Sequence, residues 1–394
     1  MRRSTDRILV SHAGSLPATD NLQQRLDESQ SSTPDIADLI PDAVREVVQR
    51  QVEIGIDVVN DGELSKRGEG GGGFSYYAMQ RLGGIFEEEF APGESPARFR
   101  SITGRDAQEF PGFHARRFGG FTGPAGRTRR RSAPPALLCR EPLRYIGQKN
   151  VATDIANLKA ALEGHDVEGY LPAIAPGTIE HWLFNDHYKH DEELLFAIAD
   201  AMHDEYQAIT DAGLILQIDD PDLPDGWQMF PQMTVPDYRR YAQLRVDALN
   251  HALRDCPAEL VRLHVCWGSG HGPHVNDIPL EHIVDIVLDA KATCFSIEAA
   301  NARHDHEWRV WETAKLPDGA SLMPGVVGHA SDIVEHPRLV ADRLVRFAGL
   351  VGRENVVAGT DCGVGPRVGH PEIAWAKLKA MADGAALASQ ELWS

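Results

Sequence analysis

Long apolar runs, cysteine and basic charge are all scarce in this sequence of 394 residues. No stretch approaches the roughly eighteen consecutive apolar residues that cross a bilayer. The opening Met1-Arg2-Arg3-Ser4-Thr5-Asp6-Arg7 has no apolar segment of the signal-peptide kind. A soluble, cytoplasmic protein is expected. The five cysteines, Cys139, Cys256, Cys266, Cys294 and Cys362, are too few and too scattered for the disulfide framework of a small secreted domain. Reduced thiols or a metal site are the better reading. Lys and Arg number 39 against 58 Asp and Glu, and the net charge of −19 repels phosphate backbones and anionic membrane surfaces. Neither nucleic acid nor a membrane is expected as a partner, whereas small molecules are, and homo-oligomerisation is compatible with the sequence.

The chain does have a repeating alternation of short β-like segments with longer amphipathic helices, the pattern of a parallel α/β fold. Eight such segments are predicted as strands, over residues 8–15, 57–63, 170–179, 214–219, 261–267, 292–298, 321–329 and 355–362. Helices are predicted over 41–53, 192–212, 236–255, 279–288 and 337–351, several opening with Pro in the first turn, where its missing N–H costs nothing. Eight strand-helix units close a single (β/α)8 TIM barrel, residues 1–394 forming one domain. Catalytic groups of such barrels sit at the C-terminal ends of the strands.

Residues 83–135 break the alternation, being rich in Gly, Pro, Arg and Phe without sustained periodicity. They read as a long insertion over the C-terminal face, either a lid or a mobile surface excursion. The run Gly68 to Gly73 reads as a flexible loop; it lacks the Lys-Ser/Thr of a phosphate loop.

The most informative segment is His264-Val265-Cys266, because residues two apart on a strand point to one face and so present imidazole and thiol together. Borderline-soft zinc favours those donors. Ser296-Ile297-Glu298 places a carboxylate at another strand end, and Asp361-Cys362-Gly363 a second thiol at a third. His264, Cys266, Glu298 and Cys362 would together make a tetrahedral Zn2+ shell.

His-x-Cys, Ser-Ile-Glu and Asp-Cys-Gly, in that order at strand ends, resemble the zinc motifs of the C-terminal barrel of cobalamin-independent methionine synthase, a resemblance that covers most of the chain. It is closer still to the single-barrel methionine synthase II-like proteins, a group that includes epoxyalkane:coenzyme M transferases. Further positions carry over singly. Ala13-Gly14-Ser15 resembles the Ile-Gly-Ser turn that holds homocysteine; Asp61-Gly62-Glu63 resembles the His-Gly-Glu whose carboxylate meets the amino acid's ammonium group; Gln217-Ile218-Asp219 matches the Gln-Ile-Asp whose aspartate serves the same ligand. Each carboxylate could instead cap the helix that follows it. His329 falls where the family has its proposed proton donor, or else makes a hydrogen bond that orients a ligand. Trp182, in Thr178-Ile179-Glu180-His181-Trp182, resembles the tryptophan that stacks on the pterin ring, or else is a core residue. The family's Arg-Cys pair, a folate contact, is here Leu138-Cys139. Positive charge would then come from Arg140, Arg144 or the cluster Arg127, Arg129, Arg130 and Arg131, the last also readable as a solvated basic loop.

The resemblance implies a zinc-dependent thiol S-alkyltransferase, methylating homocysteine to methionine from a methyl-folate-type donor. In that mechanism the substrate thiolate loosens one protein ligand, Glu298 being the hardest donor. A second reading is thiol addition to an epoxide or another electrophile, favoured by the missing Arg before Cys139. A third, a zinc-containing structural or sensor protein, ranks lowest, because structural zinc sites are usually closed and cysteine-rich.

Overall fold

The structure is a computed structural model that describes residues 1–29, 35–67, 74–88, 102–117, 136–268, 271–365 and 367–394; of residues 74, 75, 116 and 117 it describes the backbone. Eight parallel strands form the central sheet: Leu9–Val10, Val58–Asn60, Glu168–Ile174, Ile215–Asp219, Val261–Val265, Cys294–Ile297, Ser321–Val327 and Val357–Thr360. Among the described residues seven of the eight junctions around the ring are parallel ladders, the first strand pairing with the eighth. The ring closes between the first and second strands, where Asp57 N–H donates to the Val10 carbonyl at 2.9 Å and Ser11 Oγ to that of Val58 at 2.9 Å. The fold is thus the single (β/α)8 barrel expected from the alternation. The strands are almost wholly buried and rich in Val, Ile and Leu because one face fills the barrel and the other packs on helices.

The barrel interior is filled, not hollow. At its N-terminal end Leu9, Cys294, Met323 and Val357 pack together against Met1. Above them the Arg262 guanidinium lies 4.0 Å from the centre of the Tyr170 ring and donates to Ser11 Oγ at 2.9 Å and the His12 carbonyl at 3.2 Å. Apolar and paired polar side chains seal the lower barrel, so the unpaired chemistry lies at the C-terminal mouth.

Helices Ile40–Glu53, Asp191–Asp211, Val235–Ala252, Pro337–Val351 and Pro371–Leu392 cover the outside. Proline stands in the first turn of four of them, at Pro41, Pro236, Pro337 and Pro371. Thr234 and Asp237 form a reciprocal capping box at the start of Val235–Ala252, satisfying two otherwise unpaired N–H groups. None of the described helices is long and apolar enough to cross a membrane.

Two expectations need correction. The third strand stops at Ile174, not Ile179: Pro176 cannot donate to a ladder and opens the short helix Pro176–Trp182, so Thr178, Ile179 and Trp182 are helical. The irregular stretch after residue 82 is not structureless at its ends. Leu82–Glu88 pairs antiparallel with Ala136–Tyr145, which pairs in parallel with Leu183–Asn185, making a small side sheet.

Of the stretch 83–135, residues 89–101 and 118–135 lie outside the described residues, as do the arginine cluster at 127–131 and the glycine run at 68–73. The described part contains helices Gly104–Glu109 and Pro111–Arg117. Arg105 stacks on Trp227 at 3.4 Å, and Asp106 accepts from Asn276 N–H at 3.0 Å. Trp227 and Asn276 belong to the connections after the fourth and fifth strands, so this segment rests on the mouth side of the barrel.

Candidate active site

Register puts Asp219 beside His264, and His264 beside Ser296, across three neighbouring strands. These inward positions form one layer at the mouth. Ser296 Oγ lies 2.9 Å from His264 Nδ1 and fixes the imidazole, whose Nε2 is buried with no hydrogen-bond partner. One imidazole nitrogen of His264 and the sulfurs of Cys266 and Cys362 lie within 4.8 Å of one another, the two sulfurs 3.9 Å apart.

The three groups perturb each other. The hydrogen bond from the Cys266 thiol, aided by His264, drives the Cys362 pKa well below that of a free thiol. The same bond, followed by burial, drives Cys266 well above it. Burial alone would lower His264, but the charge of Cys362 outweighs it and the net shift is upward. The two sulfurs are thus shifted in opposite directions beside an imidazole. An orphaned buried nitrogen and two facing sulfurs are the donors that a borderline-soft divalent ion takes, so the residues fit zinc.

Glu298 stands apart from that trio. Its Oε2 accepts Trp267 N–H at 2.9 Å and its Oε1 accepts from Asn301 Nδ2, and one carboxylate oxygen lies within 4.8 Å of donor atoms of His329 and Asp361. Burial, then the Asp361 charge, raises Glu298 to about 8. Asp361 Oδ1 accepts two main-chain N–H groups, from Ala299 at 2.8 Å and Ala300 at 2.7 Å, while its Oδ2 has no partner. His329 is buried with neither nitrogen hydrogen-bonded, and burial pushes it down to about 4. The four donors expected in one shell are thus divided. Three converge, and the fourth is held at their side by a main-chain N–H and an amide.

On the other side of the mouth Glu63 and Asp219 face one another. Burial, then Asp219, raises Glu63 well above the usual carboxylate range, and burial raises Asp219 to about 6. Gln217 Nε2 bridges the Asp219 carboxylate at 2.7 Å and the Ala13 carbonyl at 2.9 Å, which ties this strand end to the turn bearing Ser15. Glu63 has a left-handed backbone, φ 57°, in the turn after the second strand. Two glycines make room: a Cβ on Gly14 would meet Glu63 Oε1 at 2.5 Å, and one on Gly363 would meet Ser15 Oγ at 2.4 Å. Glu63 and Ser15 thereby approach the backbone at Gly14 and Gly363 more closely than a side chain there would allow.

Trp182 lies farther out, half-buried, its ring 6.2 Å from that of Tyr76. Its neighbours Glu180 and His181 are committed to a buried network: Arg245 bonds Glu180 at 2.9 Å and Asp222 at 3.1 Å, and His181 pairs with Asp222 and Tyr241. Leu138 and Cys139 are buried in the side sheet. Arg140 beside them is paired with Glu88 and Asp186, and Arg144 packs against Gly83.

Sequence reasoning missed Ser296 as the anchor of His264, Asn301 and Trp267 as the holders of Glu298, and His304. The His304 ring stacks on Trp267 at 4.1 Å and bonds Glu307 at 2.9 Å and Asp277 at 3.2 Å. Burial opposes its protonation, but those two carboxylates raise it to about 10. Ser296 was recoverable, since it precedes Glu298 by two on the same face; His304 lies in a connection with no periodic signal.

Comparison with known proteins agrees with this geometry. Residues 144–387, more than half of the chain, match the family described as cobalamin-independent synthase, catalytic domain. Methionine synthase of Thermococcus kodakarensis is 27% identical over 223 residues, 56% of this chain and 58% of that protein. Methionine synthase of Saccharolobus islandicus is 26% identical over 220 residues, 55% of this chain and 57% of that protein. The chain thus spans little more than half the length of these curated relatives. In fold it resembles the B12-independent methionine synthase of a Shewanella species, solved in complex with selenomethionine, with a TM-score of 0.71 and 20% identity over 98% of this chain and 99% of that one. With the barrel, the order of the strand-end motifs and the family match in agreement, the chain belongs to the cobalamin-independent methionine synthase catalytic-barrel family.

Proposed function

We propose that the protein is a zinc-dependent thiol S-methyltransferase that moves a methyl group from a methyl-folate-type donor to homocysteine. The observation that carries this reading is the convergence of His264, Cys266 and Cys362 donor atoms within 4.8 Å at the barrel mouth. A free alkyl thiol is mostly protonated at neutral pH and so a poor nucleophile; zinc held by these residues would keep it as the thiolate.

The chain's own residues then have distinct tasks. Cys266 and Cys362, with His264 oriented by Ser296, hold the metal, and Glu298 is the fourth ligand, available once it leaves the Trp267 N–H or Asn301. Glu63 and Asp219 pair with the substrate ammonium, and the turn at Ser15 receives the rest of the amino acid. Burial alone leaves His329 neutral at pH 7; it serves as proton donor to the departing amine when negative charge, such as that of Cys362, offsets that burial. Trp182 offers an aromatic face to the methyl donor, and the described helices Gly104–Glu109 and Pro111–Arg117 lie on the mouth side of a single-domain barrel.

Incubation with homocysteine and a methyl-folate tests this; methionine is the expected product, and its absence counts against the reading. Leu138 in place of the family's arginine, buried in the side sheet, favours one alternative: addition of a thiol such as coenzyme M to an epoxide. Turnover of the epoxide without turnover of homocysteine decides for it. A non-catalytic zinc protein would leave its metal coordination unchanged across a panel of thiols.

A further inference from the structure

Arg67 ends the short 3-10 helix Ser65–Arg67, four residues after Glu63. Its Nη2 donates to the Leu16 carbonyl, next to Ser15. A Cβ on Gly365 would come within 2.9 Å of the same nitrogen. The guanidinium therefore lies between the turn that carries Ser15 and the turn that follows Cys362, on the rim of the thiol site.

Among the described residues Arg67 forms no ion pair, and one main-chain carbonyl engages a group that offers five donors in a rigid fork. Burial lowers its pKa, opposed by the charge of Glu63. A half-buried cation of this kind is stabilised by whatever anion the mouth admits, and a guanidinium fork fits a carboxylate in two-point fashion. The nearby Lys66 is not equivalent: its ammonium donates to the Pro172 carbonyl and lies over the Tyr77 ring.

Resting on the reading of this mouth as a thiol site, we propose that Arg67 recognises the acid group of the substrate, so that together with Glu63 and Asp219 it selects a zwitterionic amino-acid thiol. Sulfonated or uncharged thiols satisfy one pole of that arrangement or neither. Arg67 is a specificity residue here and takes no part in bond making.

A purely structural role, pinning two turns together, would produce a different pattern of ligand affinities. The test is calorimetric titration of the purified full chain with methionine, with its decarboxylated amine and with its deaminated acid. Arg67→Met is expected to weaken methionine and the deaminated acid about ten- to a hundred-fold while leaving the decarboxylated amine unchanged, with Arg67→Lys recovering part of the loss. Equal weakening of all three ligands, no weakening of any, or a wild-type chain that binds none of them overturns the proposal. Failure of the metal reading is separate: it appears as purified protein without zinc, whereas the order of these three ligands is read in either case.

Discussion

Cys266 and Cys362, whose sulfurs lie 3.9 Å apart and shift each other's acidity in opposite directions, are the residues on which the site depends most. Either Cys→Ser variant is expected to weaken metal binding by at least about a hundredfold and abolish turnover, with the far-ultraviolet circular dichroism unchanged, because neither sulfur belongs to the sealed lower barrel. Metal analysis of the purified variants checks this, and a variant that keeps both metal and activity removes Cys266 or Cys362 from the site. Glu63 and Asp219 make a pH prediction. Both pKa values are raised, that of Asp219 to about 6, so Asp219 takes up a proton below that value and releases it as the pH rises. An ammonium ligand needs the ionised form; its affinity is therefore expected to rise with pH through about 6 and to fall by up to about tenfold per unit below it, in titrations with methionine. Asp219→Asn should flatten that profile. Gly14→Ala forces a Cβ to within 2.5 Å of Glu63 Oε1 at a strained φ of 150°, and is expected to cost about 1–3 kcal/mol, seen as a lower melting temperature together with weaker methionine binding.

Among the elements, one buried carboxylate helps tie the side sheet to the barrel helices. Glu205, on helix Asp191–Asp211, accepts from Tyr77 OH at 2.9 Å, Tyr145 OH at 2.5 Å and Arg81 Nη1 at 3.4 Å, and Arg81 also pairs with Asp154 at 2.8 Å. Glu205→Gln leaves the Arg81 charge half-compensated in a dry setting and is expected to lower unfolding free energy by about 2–4 kcal/mol in urea denaturation. A change under about 0.5 kcal/mol, the usual size for a surface substitution, would mean that solvent already satisfies this cluster. The eight barrel strands were legible in the sequence because strands buried on both faces read as short runs of Val, Ile and Leu between longer amphipathic helices. The side sheet was not. Its register slips between Gly83 and Ile85, its central strand pairs with Leu82–Glu88 across more than forty intervening residues, and its third strand, Leu183–Asn185, is three residues long. Period-two patterning has no length in which to develop there. Pro176 was the local signal that the third barrel strand had ended, overridden in the reading by the apolar run through Ile179.

For the whole molecule, the barrel gathers groups far apart in the chain into one layer, and that gathering was legible only where a motif sat at a strand end. His264, Cys266 and Cys362 carried such a signal. Arg67, Asn301 and His304 did not, because connections place them and no periodicity governs a connection. The separation of Glu298 from the trio also lay beyond sequence, since it depends on where the Trp267 N–H and the Asn301 amide point. The most direct test of the account is zinc-edge X-ray absorption of the purified full chain with and without homocysteine. The expected result is a metal bound by two protein sulfurs that gains a third sulfur when homocysteine is added, with loss of the oxygen ligand. A chain that retains no zinc, or a zinc whose sulfur coordination does not change across the titration, would contradict it.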